Sequence, residues 1–561
     1  MKVIIVGGVA GGATAAPRIR RLDERAEIVM LERTGYVSYA NCGLPYYVGG
    51  EIEDAEELTL QTPQSFFARY RVDVRVRSEA IAIDRAQKTV TVKNLKTGET
   101  YSEKYDRLLL SPGAKAVIPP ALRSQDPRVF TLRTVEDTLA IHAYVQTKAP
   151  RSAVVVGGGF IGLETAENLM RRGIAVTLIQ LDPQVMPPFD GDMAALLHNE
   201  LRRQGVALRL SESCTAIEAG ARLLVRTDKG EYPADLAVVA VGVAPDTQLA
   251  KDAGLALGIK GSIAVDAGMR TSDENIYAVG DAVEVRQSVT DERTLIALAG
   301  PANKQGRIAA DNICGGNSVY KGSQGSSVVR VFSLTAASTG INEKTARALG
   351  LDYDKVILSP NSHASYYPGA QVMTMKVLFE RGTNRLLGAQ IIGGEGVDKR
   401  IDVLATAIRA GVSAVDLKDL DLAYAPPYSS AKDPVNMAGF MIENLVTGKV
   451  KQFGIDEVAA LARDGSVTLL DVRTPMEYAR GHADGFVNLP VDSLRERLAE
   501  VPKGKPVYVM CQSGLRSYLA CRILMQNGYD CYNFTGGYRF YDAVRRGNPQ
   551  AMQAYPCGME K

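Results

Sequence analysis

One pattern, present twice, constrains this chain more than any other: a short β-branched run that ends in clustered glycines and leads straight into a helical stretch. Lys2–Val6 runs into Gly7-Gly8-Val9-Ala10-Gly11-Gly12 and a helix predicted to about Leu22. About 150 residues later Ala153–Val156 runs into Gly157-Gly158-Gly159-Phe160-Ile161-Gly162 and a helix predicted over Leu163–Arg172. Apolar runs without alternation read as strands buried on both faces of a parallel sheet. Glycines at the turn let the backbone close onto a pyrophosphate, which then sits on the N-terminus of the following helix. In each unit a second apolar strand follows. Ile28–Leu31 ends in Glu32, with Arg33 beside it, and the Glu32 carboxylate is placed to accept from a ribose hydroxyl. Ala175–Ile179 ends in Gln180, and Leu181-Asp182-Pro183 offers no arginine for a 2′-phosphate. NADH is therefore expected at the second unit, with NADPH as the alternative. The first loop departs from the fingerprint in one place, where Val9 stands at the second glycine position.

Composition narrows the class. The 561 residues suffice for three or four domains. Charges nearly cancel, 65 Lys plus Arg against 63 Asp plus Glu, so no global field attracts nucleic acid or an anionic membrane. The basic-then-apolar start, MKVIIVGGVAGGATAA, reads as a strand and glycine loop instead of an export signal. No apolar run approaches a membrane span. Seven scattered cysteines, an odd number, argue against a disulfide framework and for free thiols in a reducing, cytoplasmic setting.

Two more stretches complete the first nucleotide site: Leu108–Leu110 leading to Ser111-Pro112-Gly113, and Thr271–Asp281, closing on Gly280-Asp281. With these motifs in order, residues 1 to about 445 resemble the FAD- and NAD(P)H-dependent pyridine nucleotide-disulfide oxidoreductases. That resemblance implies an α/β chain with two Rossmann-like domains and an α+β dimerisation domain. The implied layout is an FAD domain over 1–110 and 246–320, an NAD(P)H domain over 111–245, and a dimerisation domain over 321–446. Gly7, Gly8, Gly11, Gly12, Glu32, Arg33, Gly113, Gly280 and Asp281 would hold FAD; Gly157, Gly159 and Gly162 would hold the nicotinamide dinucleotide.

In the glutathione-reducing branch of that family two cysteines lie five positions apart, whereas here Tyr47 stands five after Cys42 and Val37 five before it. Cys42 therefore needs a partner from outside its own loop: a small thiol, a sulfane sulfur, or oxygen as a sulfenate. The context Ser38-Tyr39-Ala40-Asn41-Cys42-Gly43-Leu44-Pro45 resembles coenzyme A disulfide reductases and persulfide reductases, in which this cysteine bonds the coenzyme A sulfur. Asn41–Pro45 reads as a helix start, which would favour the thiolate. The same resemblance implies that Tyr366 and Tyr424 protonate a leaving sulfur at the partner subunit's cysteine. It also implies that Arg18, Arg21, Ser38, Asn41 and Lys432 contact coenzyme A. Peroxidases and oxidases of this fold use a cysteine sulfenate and carry a histidine in the first glycine loop; none of the four histidines here lies in that loop.

Beyond Lys449 the dinucleotide patterns stop. The strand Leu469–Arg473, the stretch Gly481–Pro490, the strand Val507–Met510 and the loop Cys511-Gln512-Ser513-Gly514-Leu515-Arg516 follow. Residues 452–561 resemble an α/β rhodanese domain. The cysteine at a strand end, small residues turning amides inward and Arg516 at a helix start form a cradle for a thiolate or persulfide. Four residues separate Cys511 from Arg516, leaving a bowl sized for a sulfur atom. Asp471 and Arg473 are expected to brace the fold, and Cys521 and Cys531 to be structural.

The expected protein is a homodimeric flavoenzyme without metal, in which Cys42 carries substrate sulfur and Cys511 handles sulfane sulfur. Its substrates would be coenzyme A disulfide, coenzyme A persulfide or polysulfide. The alternatives are a peroxidase or oxidase acting through a sulfenate, and a slow redox-sensing sulfur-delivery protein.

Overall fold

The computed structural model of the chain describes residues 1–552, so Cys557 lies outside the described residues. Two compact units are present. Met1–Leu181 with Glu212–Gly325 make the first, and Asp182–Ser211 with the described residues from Ser326 onward make the second.

In the first unit, Lys2–Val6 lies at the centre of a five-stranded sheet, between Arg107–Leu110 and Glu27–Glu32, with Ile276–Ala278 and Val72–Val76 outermost. All neighbours are parallel, and Ile4 pairs with Val29 on one side and Leu108 on the other. Burial on both faces explains why Val3, Ile4 and Ile5 form an unbroken apolar run. Helix Ala10–Leu22 follows directly and packs Ala15, Ala16 and Ile19 inward, against helix Ala299–Ile313 among others. A second parallel array repeats the arrangement, with strands in the order Ala175–Ile179, Ser152–Val156, Leu236–Val239, Val129–Phe130. Its glycine turn opens helix Phe160–Arg171. The parallel strands thus end together beside each glycine turn, where open α/β sheets bind their ligands.

The second unit holds two sheets of different kinds. One is antiparallel, in the order Ser327–Val331, Leu334–Gly340, Leu386–Gly393, Thr374–Glu380, Tyr353–Leu358, with helices Val397–Ala410 and Pro434–Val446 in its core. The fully buried Lys376 on this sheet reaches the carboxylates of Asp190, Asp192 and Glu343. Three carboxylates converge there, and the lysine ammonium sits among them. A buried charge needs such partners, since an unpaired one would carry its full desolvation cost. The other sheet is parallel, in the order Lys451–Phe453, Cys531–Phe534, Val507–Met510, Thr468–Asp471, Val487–Asn488. Cys511 leaves the end of its central strand. Among the described residues, no helix is long and apolar enough to cross a membrane.

Candidate active site

The first glycine turn and its neighbours enclose a cavity of about 360 Å³, lined by Gly7, Gly11, Glu32, Arg33, Gly113 and Asp281 among others. Asn41, next to Cys42, lines it too. Gly7 has φ +96°, and a Cβ there would stand 2.0 Å from the Ser111 carbonyl oxygen. Gly12 meets the Gly7 carbonyl just as closely, so neither position has room for a side chain and both present bare backbone. Val9, the departure from the fingerprint, has φ −106°, which any residue adopts, and it lines the cavity. The buried Glu32 carboxylate accepts from the amides of Gly8 and Thr34 and faces the same space. Arg33 reaches Asp246 at 2.7 Å. These features suit a dinucleotide: amides and a helix N-terminus for phosphate, a carboxylate for ribose.

The second turn repeats the device. Gly157 has φ +110°, and a Cβ on Gly162 would lie 1.8 Å from the Gly157 carbonyl, while one on Gly159 would meet open space. Gln180 occupies the place of Glu32, its amide oxygen accepting from Gly158 at 2.7 Å. An uncharged group therefore serves where the first unit has an acid.

Cys42 lies in a 3-10 turn, Asn41–Gly43, that runs into the short helix Leu44–Gly49, so the expected helix start is present. The thiol is exposed, and no disulfide forms among the six described cysteines. The expectation of a thiolate favoured by the polypeptide needs correction. Partial burial of the sulfur, then Glu164, then Asp281 push its pKa up, and Arg133 offsets them only in part. A six-residue helix is a weak counterweight. Arg133 is tied to Asp281 at 3.1 Å, and the Tyr46 hydroxyl donates to Glu164 at 3.1 Å.

Tyr366 and Tyr424, 58 positions apart in sequence, meet hydroxyl to hydroxyl at 2.8 Å while remaining 73% and 45% exposed. That bond pushes the Tyr424 hydroxyl above the ordinary phenol range. An exposed pair sharing a hydrogen bond has the geometry to pass a proton from one hydroxyl to the other.

Of the expected coenzyme A contacts, Arg18 is held by Asp311 at 2.6 Å, whereas Arg21 is exposed with no ion pair among the described residues. Arg20, between them, is buried and spends its guanidinium on backbone carbonyls, including Tyr70 at 2.8 Å and Ala26 at 2.7 Å. Ser38 adopts φ +48°, with its amide on Gly8 and its carbonyl accepting from Leu60. Lys432 is exposed and lines a largely apolar cavity of about 540 Å³ that also takes in Ser513, Gly514 and Leu515.

The loop after Val507–Met510 forms the expected cradle. Cys511 is wholly buried, and its sulfur accepts from the Gly514 amide at 3.1 Å and the Ser517 hydroxyl at 3.2 Å. Gly514, at φ +98°, turns its amide inward and opens helix Leu515–Gln526. Asp471 and Arg473 brace the base through a multiply bonded buried pair, Nη2 to Oδ2 at 2.7 Å. Arg473 also reaches Gln512 Oε1 and lies 3.9 Å over the Tyr538 ring. Arg516 differs from expectation: its guanidinium makes a two-point pair with Glu477, at 2.7 and 2.8 Å, and is not directed to the sulfur by any hydrogen bond. Arg133, Glu164 and the pairing role of Glu477 escape a sequence reading. Glu164 stands two residues after Gly162, which was its one local signal.

Residues 1–306 match the family described as pyridine nucleotide-disulphide oxidoreductase, residues 326–434 its dimerisation domain, and residues 455–543 a rhodanese-like domain. A coenzyme A disulfide reductase of Staphylococcus epidermidis is 37% identical over 440 residues, 78% of this chain and 99% of the relative. The solved structure of reduced Bacillus anthracis CoADR-RHD superposes with a TM-score of 0.95 at 48% identity, covering 98% of each chain. An NAD-dependent persulfide reductase from A. fulgidus gives 0.90 at 40% identity, covering 96% of this chain and 100% of that one.

Proposed function

Because the chain belongs to the pyridine nucleotide-disulphide oxidoreductase family and carries a rhodanese-like domain, we infer that it is an NAD(P)H-dependent flavoprotein reducing coenzyme A disulfide, coenzyme A persulfide or polysulfide. The observation that carries this reading is Cys42, an exposed solitary thiol whose neighbour Asn41 lines the dinucleotide cavity. We assign FAD to the cavity of Gly7, Glu32 and Asp281, in a domain of residues 1–110 and 246–320. NADH goes to the turn of Gly157, Gly159 and Gly162, within 111–245. A flavin held in that cavity would supply a hydride acceptor for the nicotinamide and an electron pair for sulfur.

The chain's own residues supply the rest. The Cys42 thiolate attacks a disulfide of coenzyme A, forming a mixed disulfide and expelling one coenzyme A thiolate. Tyr366 and Tyr424 give that leaving sulfur its proton, in a homodimer in which each pair serves the partner subunit's site. Arg18, Arg21, Ser38, Asn41 and Lys432 hold the substrate's phosphates and amides. The dimerisation domain matched over residues 326–434 supports dimerisation through 321–446. Cys511, in a domain of residues 452–561, takes a sulfane sulfur from a donor and passes it on as a persulfide.

Substituting Cys42→Ser tests the assignment. The variant retains its yellow flavin and loses NADH oxidation driven by coenzyme A disulfide or persulfide by about 1000-fold or more, as expected when a covalent route is removed. Substantial residual turnover would refute it. Peroxide as the preferred acceptor of the wild-type protein would support a sulfenate enzyme instead, and turnover below about one per minute with every acceptor would support a sensing role.

A further inference from the structure

The Cys511 loop offers donors to sulfur but little net charge. Its two nearby arginines are both cancelled: Arg473 by the buried Asp471, and Arg516 by Glu477. The second cancellation is the informative one, because Arg516 and Glu477 are each only 31% exposed and form two parallel bonds, the strongest geometry open to such a pair. Arg516 lies within electrostatic reach of the Cys511 sulfur, and holds Glu477 down to a pKa of about 2, so the acid stays charged throughout the neutral range. Glu477 is fixed from its other side as well. It closes a capping box with Thr474, accepting from that residue's amide and hydroxyl at 3.0 and 2.9 Å.

We propose that Glu477 is a specificity-determining residue of the Cys511 site, which by neutralising Arg516 disfavours the thiosulfate dianion as sulfur donor relative to organic persulfides. The inference rests on Cys511 being the sulfur carrier. With thiosulfate, the Cys511 thiolate attacks the outer sulfur, the S–S bond breaks, and sulfite leaves with the bonding pair. With a persulfide R–S–SH, the same attack on the terminal sulfur breaks its S–S bond. The R–S sulfur leaves with the bonding pair and takes up the proton that the terminal sulfur carried, and the thiol R–SH is released. Both reactions leave Cys511 as a persulfide, and neither needs an outside oxidant. They differ in the charge that must approach: a compact dianion in one, a donor with at most one charge at its sulfane end in the other. An uncancelled guanidinium within electrostatic reach of the sulfur would favour the first. Lys432, lining a cavity with Ser513, Gly514 and Leu515, supplies a cation suited to an anionic group on a long donor.

The experiment measures thiocyanate formed by the full-length protein from cyanide, with thiosulfate or glutathione persulfide as donor. Glu477→Gln keeps the capping box, since the glutamine amide oxygen can accept from Thr474, and it frees Arg516. The expected result is a KM for thiosulfate lowered about tenfold with kcat within about twofold, and a persulfide KM changed by less than about threefold. Raising the ionic strength erases the gain. Glu477→Asp retains the charge and stays within about threefold of wild type for both donors, and the double variant E477Q/R516Q loses the thiosulfate gain. Equal changes for both donors, a gain that survives high salt, or one that survives loss of Arg516 overturns the proposal. Cys511→Ala separates the two levels: transfer that persists without the thiol sinks the carrier assignment itself, whereas Cys511-dependent transfer with an unmoved donor preference in E477Q sinks only the role of Glu477.

Discussion

Cys42 and Cys511 carry the same element in opposite settings. Cys511 is wholly buried, its sulfur held by an amide and a hydroxyl from its own loop and helix. Cys42 is exposed, with two carboxylates among the groups that raise its pKa. One site is finished by local backbone geometry. The other is left unfinished by its own surroundings, so on the proposed function its reactivity comes from what binds beside it. A carrier that stores a reactive sulfur gains from a dry, preorganised cradle; a thiol that must form and break bonds with a large diffusing ligand gains from access.

The cradle should depend on the hold on its surroundings, and this gives the largest expected effect. Helix Gly537–Gly547 begins where a Cβ on Gly537 would stand 2.5 Å from the Ser513 amide nitrogen, so it abuts the Cys511 loop. It ends where the Gly547 carbonyl accepts from His198 Nδ1 at 3.0 Å, while His198 Nε2 accepts from the Val185 amide. Burial pushes His198 down to about 4 from an ordinary 6.5, with Arg202 acting in the same direction and the Gly547 bond opposing. Below 6.5 the unfolded segment takes up a proton that the folded one refuses, so stability is full above pH 6.5 and is lost as pH falls toward 4. The loss is about 2 kcal/mol at pH 5 and about 3 kcal/mol at pH 4. Hydrogen exchange of the Gly537–Gly547 amides should show it, and His198→Gln should flatten the pH dependence. Equal protection at pH 7 and pH 5 would break the link between this anchor and the cradle.

Next in size is the tyrosine pair. Tyr366→Phe or Tyr424→Phe is expected to lower NADH-dependent coenzyme A disulfide turnover by about 30-fold, and the double variant by no more than about 100-fold, because one proton is shared across a single 2.8 Å bond. Sulfane transfer from thiosulfate should be unmoved in all three. Additive losses would mean that the hydroxyls act separately. Smaller again is Ser517→Ala, which removes one of two donors to the Cys511 sulfur and should slow sulfane transfer about tenfold while sparing coenzyme A disulfide reduction. An effect on both reactions would show that the sites are not as independent as their surroundings suggest.

What could be read from the sequence follows from how local each feature is. The glycine turns, their strands and the Cys511 loop are encoded within a dozen residues each, by periodicity and by backbone conformations few residues tolerate; Lys2–Val6 and Val507–Met510 fall where the patterns place them. The meeting of Tyr366 with Tyr424 rested on resemblance, since nothing in either segment marks a partner 58 positions away. Charge pairing was the least legible. Arg18 and Arg516 read as free cations because their partners Asp311 and Glu477 are brought in by tertiary structure. The surroundings of Cys42 are hidden for the same reason: a helix start is visible in sequence, but the carboxylates of Glu164 and Asp281 come from 122 and 239 residues away.

The smallest prediction tests that last point. Replacing Glu164 with Gln removes the carboxylate that raises Cys42 most after burial, so the thiol pKa falls and the thiolate fraction at neutral pH rises. Reactivity rises less than the thiolate fraction, because a thiolate of lower pKa is a weaker nucleophile; a tenfold gain in thiolate would be offset about threefold. Iodoacetamide alkylation of Cys42 at pH 7 should therefore quicken only a few-fold, with the midpoint of its pH profile moved down. Arg133→Gln should move the midpoint the other way. In Glu164→Gln the glutamine amide oxygen can still accept from the Tyr46 hydroxyl, so a change in the profile reports charge and not a lost contact. If neither variant moves the midpoint, the carboxylates do not govern Cys42, and the contrast with Cys511 reduces to exposure alone.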